Sequence, residues 1–376
     1  LTNRRQRQMC IRDRTYLDCS SNQLTGNIPS FENLTEVRYL YLSDNELTGN
    51  IPSFENLINL IILNFSYNQL SGEIPSFENS TNLKNLYFIS NQLTGNTPSF
   101  ANLINLERIE LTNNQLTGEI PDFENLINLK RLYLAHNQLT GEIPSFENLV
   151  NLEVLHFSNN QLDGTIPNFQ NLPNLISILL SDNQLTGDIP NFQNLPVLYE
   201  INFSNNQLDG TIPNFQNLTN LVSIFLQNNQ LTGEIPNFQN LEFLDTVYLY
   251  SNNLTGEIPN FQNLPALTTI FLHSNQLTGS IPNLNIPSLR WINFSDNQLS
   301  GEIPNFELLL NVTQIILSDN QLTGNIPDFT DVPKLKLLKL SDNQLTGNIP
   351  DFQLPLLHTL TVGGNELSGE IPNFSD

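Results

Sequence analysis

The chain has few cysteines, few basic residues and no long apolar run. Its 376 residues include two cysteines, one methionine and one tryptophan, and 14 lysines and arginines stand against 37 acidic residues. Two cysteines cannot build a disulfide framework, and no run of about 18 apolar residues is present to cross a membrane. The net charge of −23 makes nucleic acid an unfavourable partner.

Catalytic and metal-binding motifs are also missing from the sequence. There is no G-x-x-x-x-G-K-[ST], no H-E-x-x-H, no G-x-S-x-G and no kinase signature. The four histidines occupy four different offsets within their repeats, so they cannot easily converge on one metal; they are His136, His156, His273 and His358. Calcium along the acidic rows is an alternative, but no row has the D-x-D-x-D-G spacing of a calcium loop. We therefore expect a non-enzymatic protein without a cofactor or metal.

One pattern repeats from end to end, as in NLPNLISILLSDNQLTGDIPNFQ at residues 171–193. The step is 23 residues, except for two steps of 22 into Asn297 and Asn365. The reference asparagine of this stretch, Asn183, recurs at Asn22, Asn45, Asn68, Asn91, Asn114, Asn137, Asn160, Asn206, Asn229, Asn252, Asn275, Asn297, Asn320, Asn343 and Asn365. Such a period with the pattern L-x-x-L-x-L-x-x-N predicts sixteen leucine-rich repeats.

Each position of the repeat has a physical role. Apolar and other residues alternate over residues 175–181, which predicts a short strand with one face in a core shared by stacked turns. Asn183 and Asn206 are expected to form part of a buried ladder that satisfies backbone groups of adjacent turns. Phe192 and Phe215 belong to a recurring phenylalanine that we interpret as a core column, with rings roughly 5 Å apart. An aromatic ligand channel is the alternative, but packing alone produces the same spacing.

The L-T-G-x-I-P half of the repeat, as at residues 185–190, resembles the plant-type leucine-rich repeats of receptor-kinase ectodomains, receptor-like proteins and polygalacturonase inhibitors. The resemblance covers residues 15–376. It implies an α/β solenoid: a right-handed superhelix of about sixteen 23-residue repeats, with a parallel β-sheet on the concave face, a short extra sheet beside it and a mostly irregular convex side. The repeat is one residue shorter than the usual plant-type unit, and Phe192 stands where leucine is usual.

Residues 1–14 do not fit the repeat, and Met9 to Arg14 resemble a translated sequencing adapter. We expect this segment to be non-native, with a native basic arm as the alternative. Residues 15–376 are then a leucine-rich-repeat domain, truncated and uncapped at both ends. This domain has nine basic against 36 acidic residues, a balance of −27 that we interpret as a solvated acidic flank. A membrane anchor or a kinase could lie beyond the visible segment.

Outward positions of the strands are not dictated by the core and carry the candidate ligand-binding residues. Aromatic residues and arginine are enriched there, as they are in binding hot spots. The candidates are Tyr41, Tyr87, Arg108, Arg131, Tyr133, His156, Phe225, Tyr248, Phe271 and Trp291. We expect one aromatic patch from Tyr41 to His156 and another from Phe225 to Trp291. Arg108 and Arg131 are expected to be available to a ligand's carboxylate.

These features favour an extracellular recognition module, either a receptor-like ectodomain or a secreted protein, that binds a protein, peptide or glycan on its concave strand face. Nine Asn-x-Ser/Thr sequences are compatible with a glycoprotein. Strand propensity and cross-strand pairing also favour rows of aromatics without any ligand. A structural or adhesive rod is one alternative function. Ice binding is another, because threonine and serine recur in two regular files; the files are interrupted at Asp163, Asp209, Ile89, Ala135, Gln227, Tyr250 and His273.

Overall fold

The structure is a computed structural model that describes residues 14–372. It divides into unit 1, which ends at Leu185, and unit 2, which begins at Thr186. The segment expected to be non-native lies outside the described residues except for Arg14, and so do the last four residues of the chain. Each unit is a parallel-strand solenoid in which every turn contributes one three-residue strand.

In unit 1, eight such strands pair in parallel at steps of 23 residues; Tyr16 aligns with Tyr39, for example. The central residue of a strand points into the core, and its two neighbours are less buried; Leu132, between Arg131 and Tyr133, is 0% exposed. The strands are Tyr16–Asp18, Tyr39–Tyr41, Ile62–Asn64, Asn85–Tyr87, Arg108–Glu110, Arg131–Tyr133, Val154–His156 and Ser177–Leu179. We call the surface formed by the outward side chains of these strands and by the residue two positions after each strand, in either unit, the strand face.

Unit 2 repeats this arrangement with eight more strands. The two 22-residue steps are absorbed without a change of register, because Thr269 aligns with Trp291 and Leu337 with Thr359. The strands are Glu200–Asn202, Ser223–Phe225, Thr246–Tyr248, Thr269–Phe271, Trp291–Asn293, Gln314–Ile316, Leu337–Lys339 and Thr359–Thr361. The expected leucine-rich-repeat solenoid is thereby confirmed.

The short extra sheet that the resemblance implied is present in pieces. In unit 1 its strands are Thr25–Asn27, Glu46–Asn50, Gln69–Glu73 and Gln92–Thr94, then Thr117–Gly118, Gln138–Glu142 and Gln161–Asp163. In unit 2 they are Thr186–Gly187 with Gln207–Leu208, and Ser300–Glu302 with Gln321–Thr323. Turns and bends form the remaining chain, and residues 14–372 contain no helix. Within that range, accordingly, no helical segment has the length and apolarity to span a membrane.

The reference asparagines join successive turns from the inside. Asn183 is 8% exposed, and its Oδ1 accepts the backbone N–H of Leu162 in the preceding turn at 3.0 Å. Its Nδ2 donates to the carbonyls of Phe157, Leu180 and Ser181 at 3.0–3.2 Å. Asn206 donates in the same way to the carbonyls two and three residues before it. One side chain thus bonds four backbone groups, and among them the N–H of Leu162 has the Asn183 side chain as its acceptor.

The phenylalanine column forms the other side of the core. Phe192 and Phe215 are each 1% exposed, and rings of successive turns stack in both units; the centroids of Phe54 and Phe77 are 5.2 Å apart. Many of these phenylalanines have a left-handed backbone, including Phe192 at φ 48°. This conformation costs about 1–2 kcal/mol in a residue other than glycine. Burial of the ring stabilises by about 1.5–3 kcal/mol, so packing can offset the backbone strain.

A second asparagine ladder, which the sequence analysis did not identify, lies nine residues before the reference asparagine. Asn128 Nδ2 donates to the carbonyl of Ile104 in the preceding turn at 2.9 Å, and Asn151 donates to Ile127 at 2.9 Å. In unit 2 Asn220 donates to Pro196 at 2.7 Å. These side chains are largely exposed. The repeated N-L-x-N-L sequence could have predicted this ladder, because core packing does not explain why asparagine recurs at an exposed position.

Glycine in L-T-G-x-I-P is required by two constraints at once. Gly141 has a φ of 78°, which disfavours any residue with a Cβ, and an added Cβ would lie 2.9 Å from Cγ of Glu119 in the preceding turn. Gly26 has a φ of 82° but no neighbour within 4 Å of its Cβ position. The side chain after one glycine therefore lies over the glycine of the next turn, whether it is glutamate, as Glu119 is over Gly141, or asparagine, as Asn27 is over Gly49.

Replacing a ladder asparagine should destabilise the stack locally. We expect Asn183→Ala to cost about 1–3 kcal/mol, because it leaves the buried N–H of Leu162 without its acceptor. Amide hydrogen exchange of Leu162, whose N–H loses its acceptor, measures the effect directly. Asn174→Ala is the matched control: this exposed asparagine donates only to Val150 O at 3.0 Å, and water can replace it. Equal protection of Leu162 in Asn183→Ala and wild type would contradict the role of the ladder.

The two constraints on glycine can be separated by mutation. We expect Gly141→Ala to cost more than the roughly 1–2 kcal/mol of left-handed strain alone, because its methyl group also meets Glu119. Adding Glu119→Ala should recover the steric part and leave the strain. Chemical denaturation gives the free energies of unfolding of Gly141→Ala, of Glu119→Ala and of the double variant, which together with the wild type form a double-mutant cycle. Additive effects of the two substitutions would show that the contact with Glu119 contributes nothing.

Candidate functional site

All ten candidate residues lie on the strand face. They occupy the first or third position of their strands, where side chains are half-buried or exposed. Unit 1 contains Tyr41, Tyr87, Arg108, Arg131, Tyr133 and His156, and unit 2 contains Phe225, Tyr248, Phe271 and Trp291. The structure groups these residues differently from the sequence-based patches.

In unit 1 an arginine is held between two tyrosines. The guanidinium carbon of Arg108 lies 5.2 Å from the ring centroid of Tyr87 and 5.0 Å from that of Tyr133. Arg108 Nε donates to Oε2 of Glu110 at 2.8 Å, and the ring of His156 meets that of Tyr133 edge-on at 6.0 Å. We call these five residues the arginine–tyrosine cluster. Partial burial raises the pKa of Tyr87, against the opposing charge of Arg108, so its hydroxyl stays neutral.

The expectation that both arginines are free for a ligand needs correction. Arg108 already pairs with Glu110, and Arg131 Nη2 lies 3.2 Å from Oε2 of Glu153. Both acids also project from the strand region, and sequence alone did not show that they lie within reach. Because exposed ion pairs contribute only about 0–1 kcal/mol, a ligand's carboxylate could compete for Arg131 more easily than for the enclosed Arg108.

The predicted patch from Tyr41 to His156 is not continuous in its ring contacts. Tyr41 packs with Tyr16 at 5.7 Å, and Tyr16 packs with Tyr39 at 6.0 Å. Asn64 lies between Tyr41 and Tyr87 in the strand register. Asparagine at this position therefore separates a tyrosine group at one end of unit 1 from the arginine–tyrosine cluster.

In unit 2 six large side chains form a block two positions wide and three turns long. We call it the aromatic block: Phe225, Tyr248, Phe271, Gln227, Tyr250 and His273. Tyr248 packs against Phe225 at 5.2 Å and stacks on Phe271 at 4.8 Å. Tyr250 stacks on His273, with centroids 4.4 Å apart and planes at 11°. Trp291 lies one turn further, beside Thr269 in the register, and is 39% exposed.

Half of the aromatic block was missed by sequence reasoning. Gln227, Tyr250 and His273 stand where most turns have serine, and the sequence analysis noted them only as interruptions of a file. Several serines of that file are buried, among them Ser66 at 2% exposure and Ser204 at 3%, so these hydroxyls cannot order surface water. The sequence did contain a signal for the block: three successive turns have a large residue at a position that otherwise favours a small buried one.

Two polar atoms of the aromatic block are buried without a partner. They are Oε1 of Gln227 and Nδ1 of His273, on either side of Tyr250. An unpaired buried polar atom costs about 1–3 kcal/mol, and most buried polar atoms of native proteins are paired with protein groups or with ordered water. Among residues 14–372 no group of three or more histidine, cysteine or acidic side chains is placed to hold a metal ion.

Two histidines of the strand face are held in their neutral form. Burial lowers the pKa of His273, and the charge of Asp296 opposes this only in part. Burial likewise lowers the pKa of His156, and the nearby His136 lowers it further. Below about pH 6.5, the ordinary pKa of histidine, the unfolded chain therefore binds protons more readily than the folded chain does.

The stability contributed by these neutral histidines is complete above about pH 6.5 and is lost as the pH falls below it. We expect the free energy of unfolding, measured by denaturant titration, to decrease from pH 6.5 to about 5, above the range in which most carboxylates titrate. The double variant His156→Tyr/His273→Tyr introduces the tyrosine that the preceding turn has at the same position, Tyr133 or Tyr250. It should flatten the dependence of the unfolding free energy on pH. The control His358→Gln, which retains both His156 and His273, should keep the slope. An unchanged slope in the double variant would contradict the assignment.

The repeats match two family descriptions. "Leucine Rich repeats (2 copies)" matches residues 127–172. "Leucine Rich Repeat" matches residues 15–34, 36–57, 59–79, 105–126, 220–241, 288–306 and 334–353. No curated protein matches the chain by sequence.

Solved structures give the wider comparison. The plant peptide hormone receptor RGFR1 in complex with RGF2 is 33% identical, with a TM-score of 0.80 over 94% of this chain and 67% of that one. PEPR1 with AtPEP1 is 32% identical, with a TM-score of 0.83 over 95% of this chain and 56% of that one. The chain thus spans little more than half of PEPR1.

The ectodomain of the Arabidopsis receptor kinase HAESA, in complex with an extended IDA peptide hormone, is 35% identical. Its TM-score is 0.81 over 95% of this chain and 67% of that one. Together with the strands, the asparagine ladder and the phenylalanine column, these matches show that the chain belongs to the leucine-rich-repeat family and shares the architecture of plant receptor-kinase ectodomains.

Proposed function

We propose that the protein is an extracellular recognition module that binds a peptide segment along its strand face. The observation that carries this proposal is the aromatic block with its two unpartnered polar atoms. Aromatic side chains there supply apolar contact area, and Gln227 and His273 supply hydrogen-bonding groups that nothing in unit 2 satisfies. A receptor-like or secreted location, attached glycans and a membrane anchor beyond the chain belong to the same proposal.

The spacing of the block suits an extended peptide. Gln227 and His273 are two turns apart, which is about 10 Å at the usual separation of parallel strands. Three extended residues span the same distance at about 3.3 Å each. A peptide backbone offers both N–H and C=O groups, so it can pair with the amide oxygen of Gln227 and with either tautomer of the His273 ring once these side chains rotate to bring their buried atoms to the surface. Its side chains can pack on Tyr250 and Tyr248.

The arginine–tyrosine cluster of unit 1 is a second contact region. Arg108 is fixed by Glu110 and by the two tyrosine rings, so little side-chain entropy is lost when a ligand packs on it. Arg131, beside it, is the cation that can exchange Glu153 for a ligand's carboxylate. The complexes of RGFR1, PEPR1 and HAESA with peptides support a peptide as the ligand class, and a HAESA complex with the co-receptor SERK1 supports a protein partner.

The proposal can be tested without knowing the natural ligand. Wild-type protein is used to select binders from a phage-displayed random dodecapeptide library, and the selected peptides are titrated by calorimetry. The variant Gln227→Ser/Tyr250→Ser/His273→Ser restores the serine of other turns, so the fold should survive. We expect it to weaken binding at least tenfold, because hot-spot residues contribute about 2 kcal/mol or more.

Tyr67→Asn is the matched control, because Tyr67 is exposed but lies outside the strand face at a left-handed position that asparagine tolerates. It should leave the affinity unchanged. The proposal fails if folded wild-type protein enriches no peptide, or if the selected peptides bind the triple-serine variant as tightly as wild type.

A further inference from the structure

The return segments, which follow Ile-Pro and lead to the next strand, change chemistry along the chain. In unit 1 the residue after the column phenylalanine is mostly glutamate, at Glu32, Glu55, Glu78, Glu124 and Glu147. Over the next five turns it is glutamine, at Gln170, Gln193, Gln216, Gln239 and Gln262. The residue before the phenylalanine is asparagine in the same five turns. An acidic surface is thus replaced by an amide surface.

Two of these amide turns in unit 2 enclose a groove with a volume of about 390 Å³. Its walls are the asparagines and glutamines of residues 237–240 and 260–263, together with the carboxylate of Glu242. We call it the amide groove. No lysine, arginine or apolar side chain lines it.

The lining amides keep hydrogen-bonding groups free. Asn237 Oδ1 accepts the backbone N–H of Gln239 at 3.3 Å, and Asn260 Oδ1 accepts that of Gln262 at 3.2 Å. Their Nδ2 groups make no hydrogen bond to another described residue, and neither do the side-chain amides of Gln239 and Gln262. The groove therefore presents donors and acceptors in close alternation, with Glu242 as a further acceptor.

Other departures from the repeat occur in the same two turns. Asn240 and Asn263 have left-handed backbones, with φ of 68° and 67°. Phe243 and Ala266 stand where the exposed ladder usually has asparagine, and Phe243 follows the lining residue Glu242 in sequence. With the small Ala266 in the next turn, the Phe243 ring is 57% exposed. Packing does not account for a phenylalanine this exposed, one residue along the chain from a residue that lines the amide groove.

We propose that the amide groove and Phe243 form a binding site for neutral polysaccharide, separate from the strand face. A negative lining without any cation disfavours anions, and a lining without apolar side chains disfavours apolar ligands. A neutral sugar suits both parts of the site: its hydroxyls pair with the amides and Glu242, and its C–H face packs on the ring of Phe243. Each hydrogen bond replaces one to water, so binding requires several sugar residues, and the two similar turns, whose column phenylalanines Phe238 and Phe261 lie 6.4 Å apart, suit a polymer.

The test uses the full chain on an array of immobilised neutral polysaccharides (glucan, mannan, xylan and galactan) and acidic ones (polygalacturonate, alginate and heparin), followed by calorimetry with a soluble oligomer of the best binder. We expect retention on at least one neutral polysaccharide and none on the acidic ones. Phe243→Asn restores the ladder residue, and Gln239→Glu with Gln262→Glu introduces the residue of unit 1. Each variant should lower the affinity at least tenfold while the fold persists.

The triple-serine variant of the aromatic block is the matched control and should retain full polysaccharide binding, so the site is tested independently of the peptide proposal. No retention on any neutral polysaccharide would overturn the inference. Unchanged affinity in both Phe243→Asn and the double glutamate variant would also overturn it, as would preferential binding to the acidic polymers.

Discussion

The pairing of each turn with the next through backbone groups is the constraint on which the rest of the structure depends. Strands of three residues are too short to be stable alone, and within each unit they pair with the strands of adjacent turns, as where Leu134 N–H donates to His156 O at 2.9 Å. Where the strand ends, the reference asparagine continues the pairing; the Asn183 side chain bonds four backbone groups of its own and the preceding turn. Because these bonds require closely similar turns, the period varies by no more than one residue, and the sequence has to repeat.

A strict period confines variation to positions that no neighbouring turn constrains. The central strand residue, the reference asparagine and the column phenylalanine face the core, and the L-T-G glycine lies under the side chain of the preceding turn. The outward strand residues and parts of the return segment remain free. Function therefore has to be sought where a free position departs from its row: at Gln227, Tyr250 and His273 among serines, and at Phe243 among asparagines.

This division explains how much the sequence could predict. The strands, the buried asparagines and the phenylalanine column follow from periodicity, and the structure agrees with them. The left-handed backbone at Phe192 was beyond sequence reasoning, because sterics disfavour it locally and only the packing of the ring compensates. The second ladder could have been predicted: Asn128 and its equivalents recur at an exposed position where nothing apolar is required.

The candidate site was harder to predict because it depends on contacts between turns. Period and alternation assign a side chain to the strand face, but they do not decide which neighbour it meets. Arg108 was expected to be free, yet Glu110 lies two residues away on the same side of the strand and Tyr87 and Tyr133 lie one turn before and after it. If the repeats had been aligned with one turn in each row, the strand-face positions would have formed a grid. That grid would have shown both the enclosure of Arg108 and the aromatic block.

The two proposed surfaces follow from the different environments of strand and return segment. On the strand face, neighbouring side chains lie about 4.8 Å apart across turns, so aromatic rings stack and exclude water, and an unpaired atom such as His273 Nδ1 becomes costly. In the return segments the side chains are exposed and are spaced by turns of the backbone, so their amides stay hydrated. Each amide therefore contributes only a weak contact to a ligand. Recognition of a specific peptide requires the first environment. A polymer that gains affinity by repeating a weak contact can use the second, and one repeat scaffold can therefore carry both.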